Sequence, residues 1–213
     1  MKAFIILLLV FSILGGIGFG MFYDSYGPKN VYEIAETSKP TKVTTEVSYS
    51  TMEGDVLTGF YTTSVNGSDT VFEYEYQRLA TPEESLADGN VNRIKTVNGV
   101  IYYHDGVYYS GDNTEWKPGT GTAVELKFDL SKKYIKDAEL NEDETVLTGK
   151  IAPEDAAKVL GTDLRAVDDI LITVETNGVN LTLITVSCLT QRGEMTIRTS
   201  YTYNTQDLFP EAE

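Results

Sequence analysis

Residues Asp168 to Tyr203 read DDILITVETNGVNLTLITVSCLTQRGEMTIRTSYTY, and the punctuation of this stretch sets the fold class. Three runs rich in Ile, Val, Thr and Tyr are broken only at Asn177-Gly178 and at Gln191-Arg192-Gly193-Glu194. β-Branched and aromatic residues suit a pleated, half-buried surface, and Asn-Gly supplies the positive φ angles of a tight hairpin turn. The stretch therefore predicts two long hairpins in succession. With Asn177-Gly178 as a two-residue turn, Val174 is expected opposite Leu181 and Ile172 opposite Leu183.

The same pattern runs upstream. From Thr41, the residues Val43, Thr45, Val47 and Tyr49 alternate with Lys42, Thr44, Glu46 and Ser48, which is the period of a strand with one wet face. Phe72, Tyr74 and Tyr76 alternate with Glu73 and Glu75 in the same way. Short turn-like breaks at Met52-Glu53-Gly54-Asp55, Asn66-Gly67-Ser68-Asp69 and Asp105-Gly106 join these runs. Parallel strands need long crossovers that the chain does not offer, so the strands form an antiparallel meander. Helix is scarce. A brief piece is expected over Val31 to Ser38, ending before Pro40. A second runs from Ala152 to Leu160, opened by Pro153 with Glu154 and Asp155 at its positive end. Residues 79 to 92 are expected as a loop with a helical turn, and 114 to 122 as a loop. The fold class is mainly β (α+β): a curved antiparallel sheet with one or two short helices on its concave side, preceded by an N-terminal apolar helix.

Asn98 to Trp116, NGVIYYHDGVYYSGDNTEW, holds four tyrosines and the chain's only His and Trp. With Asp105-Gly106 as the turn, Tyr103 pairs with Tyr108, Tyr102 with Tyr109, and His104 with Val107. Aromatic pairs on both faces are the residues of a packed sheet, and the cluster is read as structure, with a sugar-stacking platform as the alternative. One His at a hairpin end has no second His or Cys with which to hold a metal.

The chain carries no P-loop, GxSxG, HExxH or Gly-rich dinucleotide turn, and nucleophile–base designs have a single His to draw on. No enzyme activity and no cofactor are expected. Asp88, Asn90 and Asn92 mimic the start of a calcium loop, but Arg93 stands where that loop needs Gly. The only Cys, Cys188, lies in a strand-like run and reads as a small core residue. A net charge of -15 repels phosphate backbones and excludes nucleic acid as a partner.

Ala3 to Phe22, AFIILLLVFSILGGIGFGMF, is uncharged and preceded by Lys2. Twenty apolar residues at about 1.5 Å each can cross a bilayer core. The segment is either a cleaved signal peptide or an N-terminal anchor. Both place the acidic remainder outside the cytoplasm, membrane-anchored or secreted. The expected organisation is 1–22 signal or anchor, 23–40 linker with a short helix, 41–204 the folded domain, and 205–213 an acidic tail.

VNGVIYYHDGVYYSGDNTEWKPG, from Val97 to Gly119, resembles the hairpin leading into a Trp in the LolA/LppX-type envelope lipoproteins. DETVLTGKIAPEDAAKVLG, from Asp143, followed by DILITVETNGVNLTLITVS, from Asp169, resembles their second half: a strand ending in Thr-Gly, a short helix, then a hairpin. The likeness covers roughly residues 40 to 203 as a pattern of elements. It implies a half-open β-barrel whose concave side encloses an apolar cavity, and a role in carrying acylated lipoproteins, glycolipids or similar cargo. The chain departs from the LppX side in having no lipobox Cys at Phe22 or its neighbours.

The residues themselves point to an uncovered apolar concavity, because several one-faced strands face too little helix. The expected lining is Val47, Tyr49, Phe60, Phe72, Tyr74, Ile172 and Leu183. Two functions follow. One is a non-enzymatic extracytoplasmic binding protein that carries or senses a lipid or other apolar ligand, with the membrane reached through the N-terminal segment. The other is a structural or interaction domain of the cell envelope, with a filled core and an envelope protein as partner.

Overall fold

The computed structural model describes residues 30–66, 69–87, 94–104, 107–111, 117–119, 130, 132–160 and 164–203. The N-terminal apolar segment, the calcium-loop mimic, Trp116, most of the 114–122 loop and the acidic tail lie outside the described residues.

The strands are β1 (Lys42–Thr51), β2 (Val56–Asn66), β3 (Asp69–Leu79), β4 (Ile94–His104), β5 (Val107–Gly111), β6 (Lys117–Gly119), β7 (Ile135–Leu140), β8 (Val146–Ile151), β9 (Ile170–Thr176), β10 (Leu181–Thr190) and β11 (Gly193–Thr202). All eleven join one antiparallel sheet in the order β6-β5-β4-β3-β2-β1-β11-β10-β9-β8-β7. The sheet is curved and does not close on itself. It consists of two meanders fused where the first strand pairs with the last, Val47 opposite Ile197. The tyrosine hairpin has the expected register, with Tyr103 opposite Tyr108, Tyr102 opposite Tyr109 and His104 opposite Val107.

The β9–β10 hairpin differs from the expected two-residue turn. Its loop spans four residues, because the Asn177 side chain accepts from the backbone N–H groups of both Val179 and Asn180, at 3.0 and 2.8 Å. Asn and Asp readily make such local turns with their own backbone. The register then slips, with Leu181 opposite Thr176 but Leu183 opposite Glu175, so that Thr182 is the extra residue of a bulge. Beyond the bulge Val174 faces Ile184, not Leu181, and Ile172 faces Val186, not Leu183. A one-residue slip exchanges the two faces of a strand.

Among the described residues, three short α-helices accompany the sheet. α1 (Val31–Thr37) is capped by Asn30, whose side-chain oxygen accepts from the N–H of Tyr32 and Glu33, both at 3.1 Å. Its Val31 and Ile34 are fully buried, and it packs on β9 and β10. α2 (Pro82–Ala87) sits in the stretch expected as a loop with a helical turn. Thr81-Pro82-Glu83-Glu84 is a capping box: Thr81 Oγ1 accepts from the Glu84 N–H at 3.2 Å, and Glu84 Oε2 from the Thr81 N–H at 2.8 Å. α3 (Ala156–Leu160) is shorter than the expected helix, because Pro153–Asp155 winds as a 3₁₀ turn with the Asp155 N–H donating to the Ala152 carbonyl at 2.9 Å.

Arg78 at the end of β3 grips the Glu84 carboxylate with both nitrogens, at 2.7 and 2.6 Å. That hydrogen-bonded pair, aided by the Thr81 backbone bond, holds the Glu84 carboxyl down at about 2 from its ordinary 4.5. The group's contribution to holding α2 is therefore complete above about pH 4.5 and is lost as the pH falls towards 2. Carboxylate NMR is expected to show Glu84 titrating near pH 2, and Arg78→Ala to return it towards the ordinary glutamate range. A Glu84 midpoint above pH 4 in the wild-type protein would contradict this.

Candidate functional site: the concave face

Residues directly opposite in antiparallel strands share a face, so the register maps the concave surface. One row runs Val43, Thr63, Phe72 and Ile101 across β1 to β4. The next runs Val174, Ile184, Thr199, Thr45, Tyr61, Tyr74 and Gly99 across β9, β10, β11 and β1 to β4. A third runs Ile172, Val186, Ile197, Val47, Gly59 and Tyr76. Eight of these seventeen residues are buried in one hydrophobic cluster, and Tyr74, Tyr76 and Ile101 pack against it partly buried.

The two ends of the concave face differ. Over β9 and β10 the face is covered by α1, and Ala156, Val159 and Leu160 of α3 are buried in the same cluster. Across β2 to β4 it is an aromatic ladder. Ring centroids lie 6.4 Å apart for Tyr61 and Phe72, 5.7 Å for Phe72 and Tyr74, and 6.1 Å for Tyr74 and Tyr76. Two glycines let these rings lie down against the sheet. A Cβ on Gly59 would stand 2.9 Å from the Tyr61 ring, and Tyr74 fills the place that a Cβ on Gly99 would take. Tyr74, Tyr76, Ile94 and Ile101 keep part of their surface open while packing against the buried cluster.

Of the expected lining residues, Val47, Tyr49, Phe72 and Ile172 are buried on the concave side and Tyr74 is partly buried beside them. Phe60 and Leu183 are not with them. Phe60 lies opposite Glu46 and Glu75 on the convex face and is 45% exposed. The strand VLTGFYTTSVN has apolar residues in both phases, and the pairing of Tyr61 with Thr45 selects the other one. Leu183 is turned to the convex side by the bulge, opposite Ser200 and Glu175.

Tyr61, Thr63, Tyr76 and Ile101 belong to the surface and were not in the expected set. Their signal was the register with Phe72 and Tyr74, which needs the strand pairing to be read. Tyr61 is 1% exposed and its hydroxyl is held protonated by burial, with Tyr76 adding to the shift. Cys188 lies in the same cluster, its thiol pushed up to about 11 by burial. A thiol that stays protonated is a poor nucleophile. Among the described residues, no group of three His, Cys, Asp or Glu side chains is placed to hold a metal ion. No helix of the described residues is long and apolar enough to cross a membrane.

Comparisons with protein-family models, curated proteins and solved structures give no match for this chain.

Proposed function

We propose that this chain is a non-enzymatic extracytoplasmic binding protein that holds the acyl chain of a lipid against the β2–β4 end of its concave face, as the likeness to LolA/LppX-type carriers implies. The supporting observation is the asymmetry of that face. One end is a finished core under α1, whereas the aromatic ladder at the other end retains partly open Tyr74, Tyr76 and Ile101. Burial of a chain is worth about 0.8 kcal/mol per methylene, so ten methylenes give roughly micromolar binding after ordering costs. The N-terminal apolar segment supplies the membrane tether or the export signal, and the acidic body supplies solubility.

Native mass spectrometry of the protein from its own host, with titration of a fluorescent fatty acyl probe, tests this. Retained lipid and saturable uptake are expected. Ile101→Trp, which adds bulk beside the ladder without charge, is expected to weaken uptake about tenfold or more while the protein stays folded. A folded wild-type protein that takes up no apolar probe rejects the carrier reading. The assignment then passes to an envelope interaction domain with a filled core.

A further inference from the structure

Two hydroxyls on the ladder are unexplained by packing. Tyr61 Oη and Thr63 Oγ1 are both buried on the concave face, in residues 1% and 0% exposed, and neither has a hydrogen-bond partner among the described residues. Their neighbours in the same rows show the usual solution: Thr45 and Thr199 bond each other across β1 and β11 at 3.1 Å. Buried polar groups are nearly always satisfied, and a hydroxyl left bare costs folding free energy that an aromatic or aliphatic isostere would not. Phe at 61 and Val at 63 would keep the shapes and lose the penalty. The two residues sit on one strand and one face alongside Phe72 and Tyr74, but the Tyr61 hydroxyl reaches over Gly59, 2.9 Å from where a Cβ there would stand, and so points away from Thr63, which lies about 13 Å from Gly59 along the strand.

We propose that the Tyr61 hydroxyl is the polar contact of the lipid site and that it selects a ligand with an uncharged ester or amide carbonyl at the root of its chain. The inference rests on the carrier reading above and adds a specificity to it. A hydroxyl donates to a carbonyl oxygen, so the Tyr61 donor is satisfied when such a ligand binds, whereas the same carbonyl cannot reach Thr63 Oγ1. Neither hydroxyl atom is open to solvent, so a chain that reaches Tyr61 Oη has to displace side chains packed around it, among them Phe72, which stacks on Tyr61. A free carboxylate fits poorly. Charge moved into an apolar site without a counter-ion is strongly disfavoured, and a body of net charge -15 adds repulsion.

The test uses the delipidated full chain and three probes with the same pyrenyl chain: a methyl ester, the alkane without a carbonyl, and the free carboxylate. The wild type is expected to bind the ester about tenfold tighter than the alkane, a hydrogen-bond-sized preference, and the carboxylate more weakly than the ester. Tyr61→Phe is expected to lose about three- to tenfold on the ester and nothing on the alkane, and Thr63→Val to lose nothing on either. Without ligand, both variants are expected to melt at or above the wild-type temperature, by up to roughly 2–4 °C. Equal binding of ester and alkane, unchanged in the variants, overturns this inference and leaves the carrier reading standing. Carboxylate bound as tightly as ester overturns it too. A lower melting temperature for unliganded Tyr61→Phe would show its hydroxyl satisfied within the fold and would also overturn it. Failure of the wild type to bind any of the three removes the carrier reading itself, and the inference with it.

Discussion

Ile184→Lys is expected to abolish folding, while Leu183→Lys, one residue away, leaves stability within about 1 kcal/mol of wild type. The contrast follows from the bulge that shifts β10 against β9. Ile184 is 1% exposed and faces Val174 on one side and Thr199 on the other, beneath α1. An ammonium group there has no counter-ion and no water, and uncompensated buried charge belongs to the short list of changes costing more than about 4–5 kcal/mol. Leu183 points to the convex side opposite Glu175. Lysine there loses some apolar contact and gains an opposite charge directly across the strand, worth roughly 0.2–1 kcal/mol. Urea denaturation of both variants checks the pair. The reverse order of stabilities would mean that the hairpin has the simple two-residue turn and that Leu183 lines the concavity after all.

The second large effect is expected at Gly193, where β11 leaves the β10 turn and meets β1. Its φ is +145°, and a Cβ there would overlap the Ser50 carbonyl, with the carbonyl carbon at 2.9 Å and Thr51 Cα at 3.0 Å. Both obstacles are backbone of the adjoining strand, so no rotamer change relieves them. Gly193→Ala is expected to cost about 3–5 kcal/mol, the conformational strain and the displaced strand together. Gly178 is the control: its φ is +84° but nothing lies within 4 Å of its would-be Cβ, so Gly178→Ala carries only the left-handed backbone cost of about 1–2 kcal/mol. Chemical denaturation of the two variants separates the terms, and equal losses would refute the clash at the seam.

Much of this architecture is legible in the chain because strand periodicity and turn chemistry are local. The alternation at Val43, Thr45, Val47 and Tyr49 places β1 and its buried face, and Asp105-Gly106 sets the register of the tyrosine hairpin. Three things are not local. The pairing of β1 with β11 joins residues 154 apart, such as Thr45 and Thr199, and no spacing announces it. The bulge at Thr182 depends on Asn177 gathering a four-residue loop, which Asn-Gly alone does not distinguish from a two-residue turn. The phase of β2 is ambiguous within the strand because Phe60 and Tyr61 are both large and aromatic. The candidate site inherits these gaps. Phe72 and Tyr74 are visible in their own strand, whereas Tyr61 and Thr63 emerge only once β2 is aligned with β3. The capping box at Thr81 and Glu84 is a different case, since its four residues are a recognised local signature for a helix start.

The seam between β1 and β11 also says when this protein can finish folding. Each meander can zip locally by short hairpins, but the strand that unites them is the last one made, and closing so long a loop carries an entropic cost that grows as about (3/2)RT ln n. Until Gly193–Thr202 arrives, the inner edge of β1 is an open template and the sheet is two unjoined leaves. For a chain expected to thread a translocation channel from its N-terminus, that order of events is useful. Under the proposed export, the leaves would stay separable during passage, and the curved sheet would be drawn together only after the C-terminal strand had emerged on the far side.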